Sequence, residues 1–187
     1  RHMQTVESRK VARLLPAVTG NDAESLTNTG WNRSVSRSEN TRRGAQFIKG
    51  NGRYSLMLFA EPLDKKSAPE IVAQPPIRVT SPIQQLERGE IAYVTGRVRL
   101  PSTVVGSVNG AMVFDSISGV AGAIRWREQT NGWVQFDLLR EAKSDGPFYL
   151  TFLLGGFGQL QVADLEVVVY PPLTSGPTLT GFSQPTR

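Results

Sequence analysis

Residues able to do covalent chemistry are few in this chain. There is no cysteine, which removes thiol nucleophiles, disulfides and thiolate metal sites together. The one histidine, His2, stands in Arg1-His2-Met3, and a His-Met pair so placed reads as a cloning remnant. Without it the domain lacks the commonest general base and the commonest metal ligand. Ser-His-Asp and Cys-His sets are then out of reach. Carboxylates remain as candidates: Asp115, Glu128, Asp137, Asp164 and Glu166. A glycosidase needs two carboxylates flanking a cleft, and the spacing of these five brings no pair together. There is no P-loop and no dinucleotide fingerprint. The run Gly155-Gly156-Phe157-Gly158 joins two strand-like segments, which predicts a tight hairpin. The chain is therefore expected to be a non-enzyme.

Arginine beside aromatic rings is the more promising chemistry. Alternation in Ala92–Leu100 sets Tyr93, Thr95, Arg97 and Arg99 opposite Ala92, Val94, Gly96, Val98 and Leu100. The same reading sets Arg125 and Arg127 opposite Ile124 and Trp126, and Gln135 opposite Val134 and Phe136. One polar face carrying Tyr93, Arg97, Arg99, Asp115, Arg125, Arg127 and Gln135 is the expected ligand site. Aromatic rings offer flat apolar surface to a sugar, and guanidinium offers donors in a fixed fork. The same residues also suit a cross-strand charge ladder, with Arg97 and Arg125 paired to Asp115 or Asp137. On the ligand reading, Arg125→Ala impairs binding more than folding. Trp133 reads as core or edge packing. Trp31, alone in a polar stretch, is either a staple onto the sandwich or an exposed platform. Asp164 lies among Val162, Leu165 and Val167, where a carboxylate needs a partner. Calcium and backbone N–H groups are both open for it.

These side chains need strands to carry them. The length of 187 residues suits one domain, and 18 Gly with 12 Pro mark many turns. Strand candidates are 45–49, 53–60, 77–86, 90–100, 111–116, 123–128, 133–142, 148–154 and 160–170, with Asn-Gly turns at 51–52, 109–110 and 131–132. Turn signals every eight to twelve residues point to an antiparallel sandwich or barrel. Residues 1–13 have a weak helical look, and 16–44 read as loop with at most a short strand. The expected division is a tag remnant and arm over 1–15, a sandwich over 16–171, and a disordered tail over 172–187 begun by prolines.

Charge is uneven. Residues 1–54 hold ten Lys or Arg against four Asp or Glu, a balance of +6, while the remainder stands at −1. A basic arm can bind polyanions or can be a solvated flexible segment; nucleic acid is not the expected partner. No apolar run is long enough to span a bilayer as a helix, and no signal peptide is visible. A fragment of a longer protein is expected.

The order of short motifs resembles a known family. A Gly-Trp element (Gly30-Trp31) is followed by GRYSLML (52–58), GEIAYVTGRVRL (89–100), NGWVQFDLLRE (131–141) and LTFLLGGFGQLQVADLEVV (150–168). This series, over about residues 26–170, resembles the galactose-binding-like jelly rolls, in particular carbohydrate-binding modules of the CenC-like group. NGAMVFDS and AIRW also resemble modules at the ends of large bacterial cell-surface proteins. The resemblance implies an all-β antiparallel jelly-roll sandwich that binds a polysaccharide or glycan without catalysis. It also implies a secreted or cell-surface parent with further domains. A structural or protein-interaction domain, able to form a homo-oligomer, is the alternative. Relatives often hold a structural Ca²⁺ between an opening motif and a final aspartate pair, which here implies Glu24 and Asp164 as metal ligands. The pair is reduced to Ala163-Asp164, and the opening motif, at best Gly20–Glu24, lacks its Phe.

Overall fold

The computed structural model describes residues 10–16, 23–24, 26, 29–36, 40–50, 53–64, 66 and 71–172. The expected tag remnant and nearly all of the expected C-terminal tail lie outside these residues. The strands are β1 (Lys10–Arg13), β2 (Ala23–Glu24), β3 (Asn32–Val35), β4 (Thr41–Gly50), β5 (Arg53–Pro62), β6 (Ile77–Thr80) and β7 (Gln84–Leu86). They continue as β8 (Ile91–Arg99), β9 (Ala111–Asp115), β10 (Ile124–Trp126), β11 (Val134–Glu141), β12 (Gly146–Phe148), β13 (Leu150–Leu154) and β14 (Gly158–Tyr170).

Two sheets form an antiparallel jelly-roll β-sandwich. The first runs β11-β8-β14-β5-β4-β2, with β1 alongside β14, and the second runs β10-β9-β13-β6-β3. A small ladder joins β12 and β7. Inward positions follow the two-residue period of a strand. Leu56, Leu58, Val94, Val98, Leu160, Val162 and Val167 of the first sheet face Ile77, Val79, Val113, Leu150, Phe152 and Leu154 of the second, all fully buried. Burying each large apolar chain contributes about 1.5–3 kcal/mol. The β4–β5 hairpin closes with Gly50 opposite Arg53; the expected Asn51-Gly52 turn itself lies outside the described residues.

Four expectations change. Lys10–Arg13 are not part of an arm or a helix but a strand on β14, because Ala12 and Leu14 bring apolar surface to the core. The stretch 16–44 contributes β2 and β3 as well as the start of β4. The expected strands 77–86 and 148–154 each break in two, the first at Ser81-Pro82, since proline offers no ladder donor. Gly155–Gly158 is not a hairpin: β13 and β14 belong to different sheets, so the glycines carry the chain across. They also pass against the 105–107 backbone, where a Cβ on Gly156 would overlap the Val105 carbonyl oxygen. Trp31 is the staple. It is 5% exposed, its Nε1 donates to the Leu14 carbonyl at 3.0 Å, and its ring meets Phe47 and Phe152 at 6.0 and 6.1 Å. Among the described residues, no helix is long and apolar enough to cross a membrane.

Candidate functional site

The outward face of the first sheet is built in cross-strand rows. Strand register sets Leu139, Tyr93, Val168 and Val11 side by side on β11, β8, β14 and β1. The next row holds Asp137, Thr95, Glu166 and Arg13. Gln135 and Arg97 follow, and then Arg99 beside Gln161 and Met57. Alternation places all of these away from the core, and Arg97, Arg99, Gln135 and Leu139 are exposed.

Asp164 organises the polar half of this face. Strict alternation from Leu160 and Val162 would turn it inward. A β-bulge shifts the register between Ala163 and Glu166, and Asp164 adopts a left-handed φ of 49°, a conformation Asp tolerates better than most residues. Leu165 is thereby buried, and Asp164 meets two guanidinium groups. Arg53 Nη1 donates to its Oδ1 at 2.9 Å, and Arg97 Nη2 pairs with its Oδ2. Burial pushes the Asp164 carboxyl up, but the Arg53 hydrogen bond and the Arg97 charge outweigh it and hold the group below its ordinary value. The Arg97 guanidinium also lies 5.7 Å from the centre of the half-buried Trp133 ring, within cation–π range.

This arrangement does not fit the calcium site that the resemblance implies. The Asp164 oxygens are held by two cations, which a metal would have to displace. Glu24 lies on β2, whose backbone is three strand spacings from β14, about 14 Å at the usual interstrand distance. No group of three or more metal-ligating side chains occurs among the described residues. In this structure the carboxylate of Asp164 is partnered by Arg53 and Arg97.

The expected single polar face is divided. Tyr93, Arg97, Arg99 and Gln135 share the first sheet. Arg125 and Arg127 lie on and just beyond β10, at the edge of the second. Arg125 donates to the Ala123 and Val120 carbonyls at 3.1 and 2.9 Å, which ties down the turn before its own strand. Asp115 leaves the face altogether. Its side chain is fully buried and pairs with Arg140 Nε at 2.7 Å, while Oδ1 accepts the Ile117 and Ser118 N–H groups at 2.9 and 2.8 Å. The expected ladder partners are replaced accordingly: Arg97 pairs with Asp164, and Asp115 with Arg140. The outward side of the second sheet offers little side-chain surface at its centre, where Met112, Thr151 and Leu153 are buried.

The candidate catalytic carboxylates stay dispersed. Glu128 accepts from Thr103 Oγ1 at 3.0 Å. Glu166 pairs with Arg13 at 3.5 Å. Asp137 and Glu166 share a face but stand on strands either side of β8, about 10 Å apart, with the Glu166 carboxylate engaged. Residues that the sequence did not single out for the site are Arg53 and Gln161. Arg53 had no visible link to residue 164, 111 positions away. The signal for Trp133 was its place two residues before Gln135, directly after a turn.

No family model and no curated protein matches this chain. Solved structures do. A carbohydrate-binding module, CBM4, superposes with a TM-score of 0.50 at 12% identity, over 78% of this chain and 92% of that one. That likeness establishes a shared fold. The K3 cleaved adhesin domain of Lys-gingipain from Porphyromonas gingivalis superposes with 0.48 at 14% identity, over 85% and 99% of the two chains. TmCBM61, solved with β-1,4-galactotriose, superposes with 0.43 at 12% identity, over 73% and 86%.

Proposed function

We propose that this chain is a non-catalytic carbohydrate-binding module of a larger secreted or cell-surface protein. In this reading a glycan lies along β8 on the outward face of the first sheet. The observation that carries it is the fixed Arg97, held by Asp164 on one side and set over Trp133 on the other. A donor immobilised before binding loses less freedom when a sugar hydroxyl reaches it. Tyr93 stands four residues along the same strand, about 13 Å away at the usual rise, and supplies a second ring. Gln135, Gln161 and Arg99 add hydrogen-bonding groups between and beside them. The shared fold with a carbohydrate-binding module supports the reading without choosing the ligand.

The test is a glycan array followed by affinity electrophoresis in soluble polysaccharides. Trp133→Ala is expected to abolish retardation while leaving the melting temperature within a few degrees. Absence of any glycan ligand for the parent chain refutes the reading.

A second reading is a protein-interaction or structural domain, favoured by one observation. Leu139 and Val11 are 60% and 54% exposed at the two ends of the apolar row through Tyr93 and Val168, which is surface of the kind an interface covers. Light scattering that finds a dimer in the wild type and a monomer in Leu139→Lys supports this reading over the first. The third expectation, polyanion binding through a basic arm, loses much of its basis, because Lys10, Arg13, Arg33, Arg42, Arg43, Lys49 and Arg53 all lie on strands.

A further inference from the structure

The charge on the candidate face is not balanced. Arg53 and Arg97 share the single carboxylate of Asp164, so one positive charge in that trio is uncompensated. Arg99 projects from the same side of β8 two residues beyond Arg97, is exposed, and has no hydrogen-bond or ion-pair partner among the described residues. Its cross-strand neighbour is the neutral Gln161. The nearest other carboxylates on the face are Glu166, which is occupied by Arg13, and Asp137, one row away and opposite the neutral Thr95. The three arginines carry at least one positive charge in excess even if Asp137 is counted against them. The side chains of Arg53 and Arg97 remain 77% and 45% exposed, so each presents unused N–H groups to solvent.

A neutral sugar does not need this excess. A planar guanidinium fork matches the paired oxygens of an anion, and Asp164 fixes two such forks before any ligand arrives. We propose that the face binds an acidic polysaccharide, with the carboxylate or sulfate of one sugar residue seated among Arg53, Arg97 and Arg99 and the ring of a neighbouring residue on Trp133. This rests on the glycan-binding reading above and names the class of ligand.

Affinity electrophoresis of the whole chain against matched polymers tests it. Polygalacturonate is expected to retard the protein strongly. The same polymer with its carboxylates methyl-esterified is expected to bind about tenfold more weakly, with affinity for the free acid falling as salt rises. Dextran sulfate run beside neutral dextran separates sulfate from carboxylate as the preferred anion. Arg99→Ala, which removes no described contact, is expected to cut binding to the acidic polymer about fivefold with an unchanged melting temperature. Equal binding to the esterified and free polymers overturns the acidic-ligand inference and leaves the glycan-binding reading standing. Retardation by single-stranded DNA as strong as by polygalacturonate overturns the assignment of a polysaccharide ligand, and an unaffected Arg99→Ala variant overturns the assignment to this face. Failure to bind any polysaccharide, neutral or acidic, overturns both.

Discussion

Asp115→Ala separates a fold residue from a ligand residue. The wild-type carboxylate is fully buried and accepts three hydrogen bonds: Arg140 Nε on Oδ2, and the Ile117 and Ser118 N–H groups on Oδ1. Arg140 is in turn held by the Leu139 and Gly122 carbonyls at 2.9 and 3.1 Å. Removing one partner of a buried ion pair costs about 3–5 kcal/mol, because the other charge stays behind. Arg140 retains 19% side-chain exposure, so partial rehydration places its share near the lower end, about 3 kcal/mol. The two freed N–H groups sit in a part-buried turn and add about 1 kcal/mol between them. The total of about 4 kcal/mol corresponds to a fall of about 8–16 °C in Tm for a domain of this size. Urea unfolding at constant m value reads the loss directly. Arg140→Met combined with Asp115→Ala is expected to cost about 2 kcal/mol less than the sum of the single changes. A loss below about 1 kcal/mol, or a loss of glycan affinity with melting unchanged, refutes the structural role.

Three further outcomes are expected. Arg125→Ala removes two hydrogen bonds to exposed carbonyls and lowers stability by about 1 kcal/mol. Glycan affinity should not change, and an affinity loss with unaltered melting would return Arg125 to the site. Trp31→Ala deletes the ring between Phe47 and Phe152 and orphans the Leu14 carbonyl, at about 3–5 kcal/mol; limited proteolysis should then cut near Leu14, and an unchanged digest would count against the staple. The lowered Asp164 pKa means that this clamp stabilises the fold fully above the ordinary carboxylate range and loses its contribution as pH falls below about 4. Asp164→Asn should therefore flatten the acid limb of a stability–pH curve, and an acid limb identical to wild type would show that the clamp contributes nothing.

Much of the architecture is written into local sequence. Period-two alternation in Ala92–Leu100 and Phe136–Leu138 identifies buried and outward sides, because a strand turns successive side chains to opposite faces; Val134, expected inward with Phe136, is exposed at the start of its strand. Gly50-Asn51-Gly52 specifies a hairpin, because Asn and Gly accept positive φ. The absence of cysteine excludes thiol chemistry, and no fold can alter that; the one histidine, His2, lies outside the described residues.

Only the tertiary structure decides which outward sides coincide. Alternation says that Arg97 and Arg125 both point out, but a sandwich has two outer faces, and the assignment of β8 and β10 to different sheets divides them. Asp115 reads as an outward or laddered carboxylate until its strand is paired and Arg140 arrives from 25 positions away. The bulge at Asp164 is equally invisible locally, because it is a mismatch between two strands. What the sequence determines by itself is an all-β chain whose cysteine-free composition rules out thiol chemistry. The pairing of Asp164 with Arg53 and Arg97 depends on contacts between residues far apart in the chain, and such contacts have no local signature.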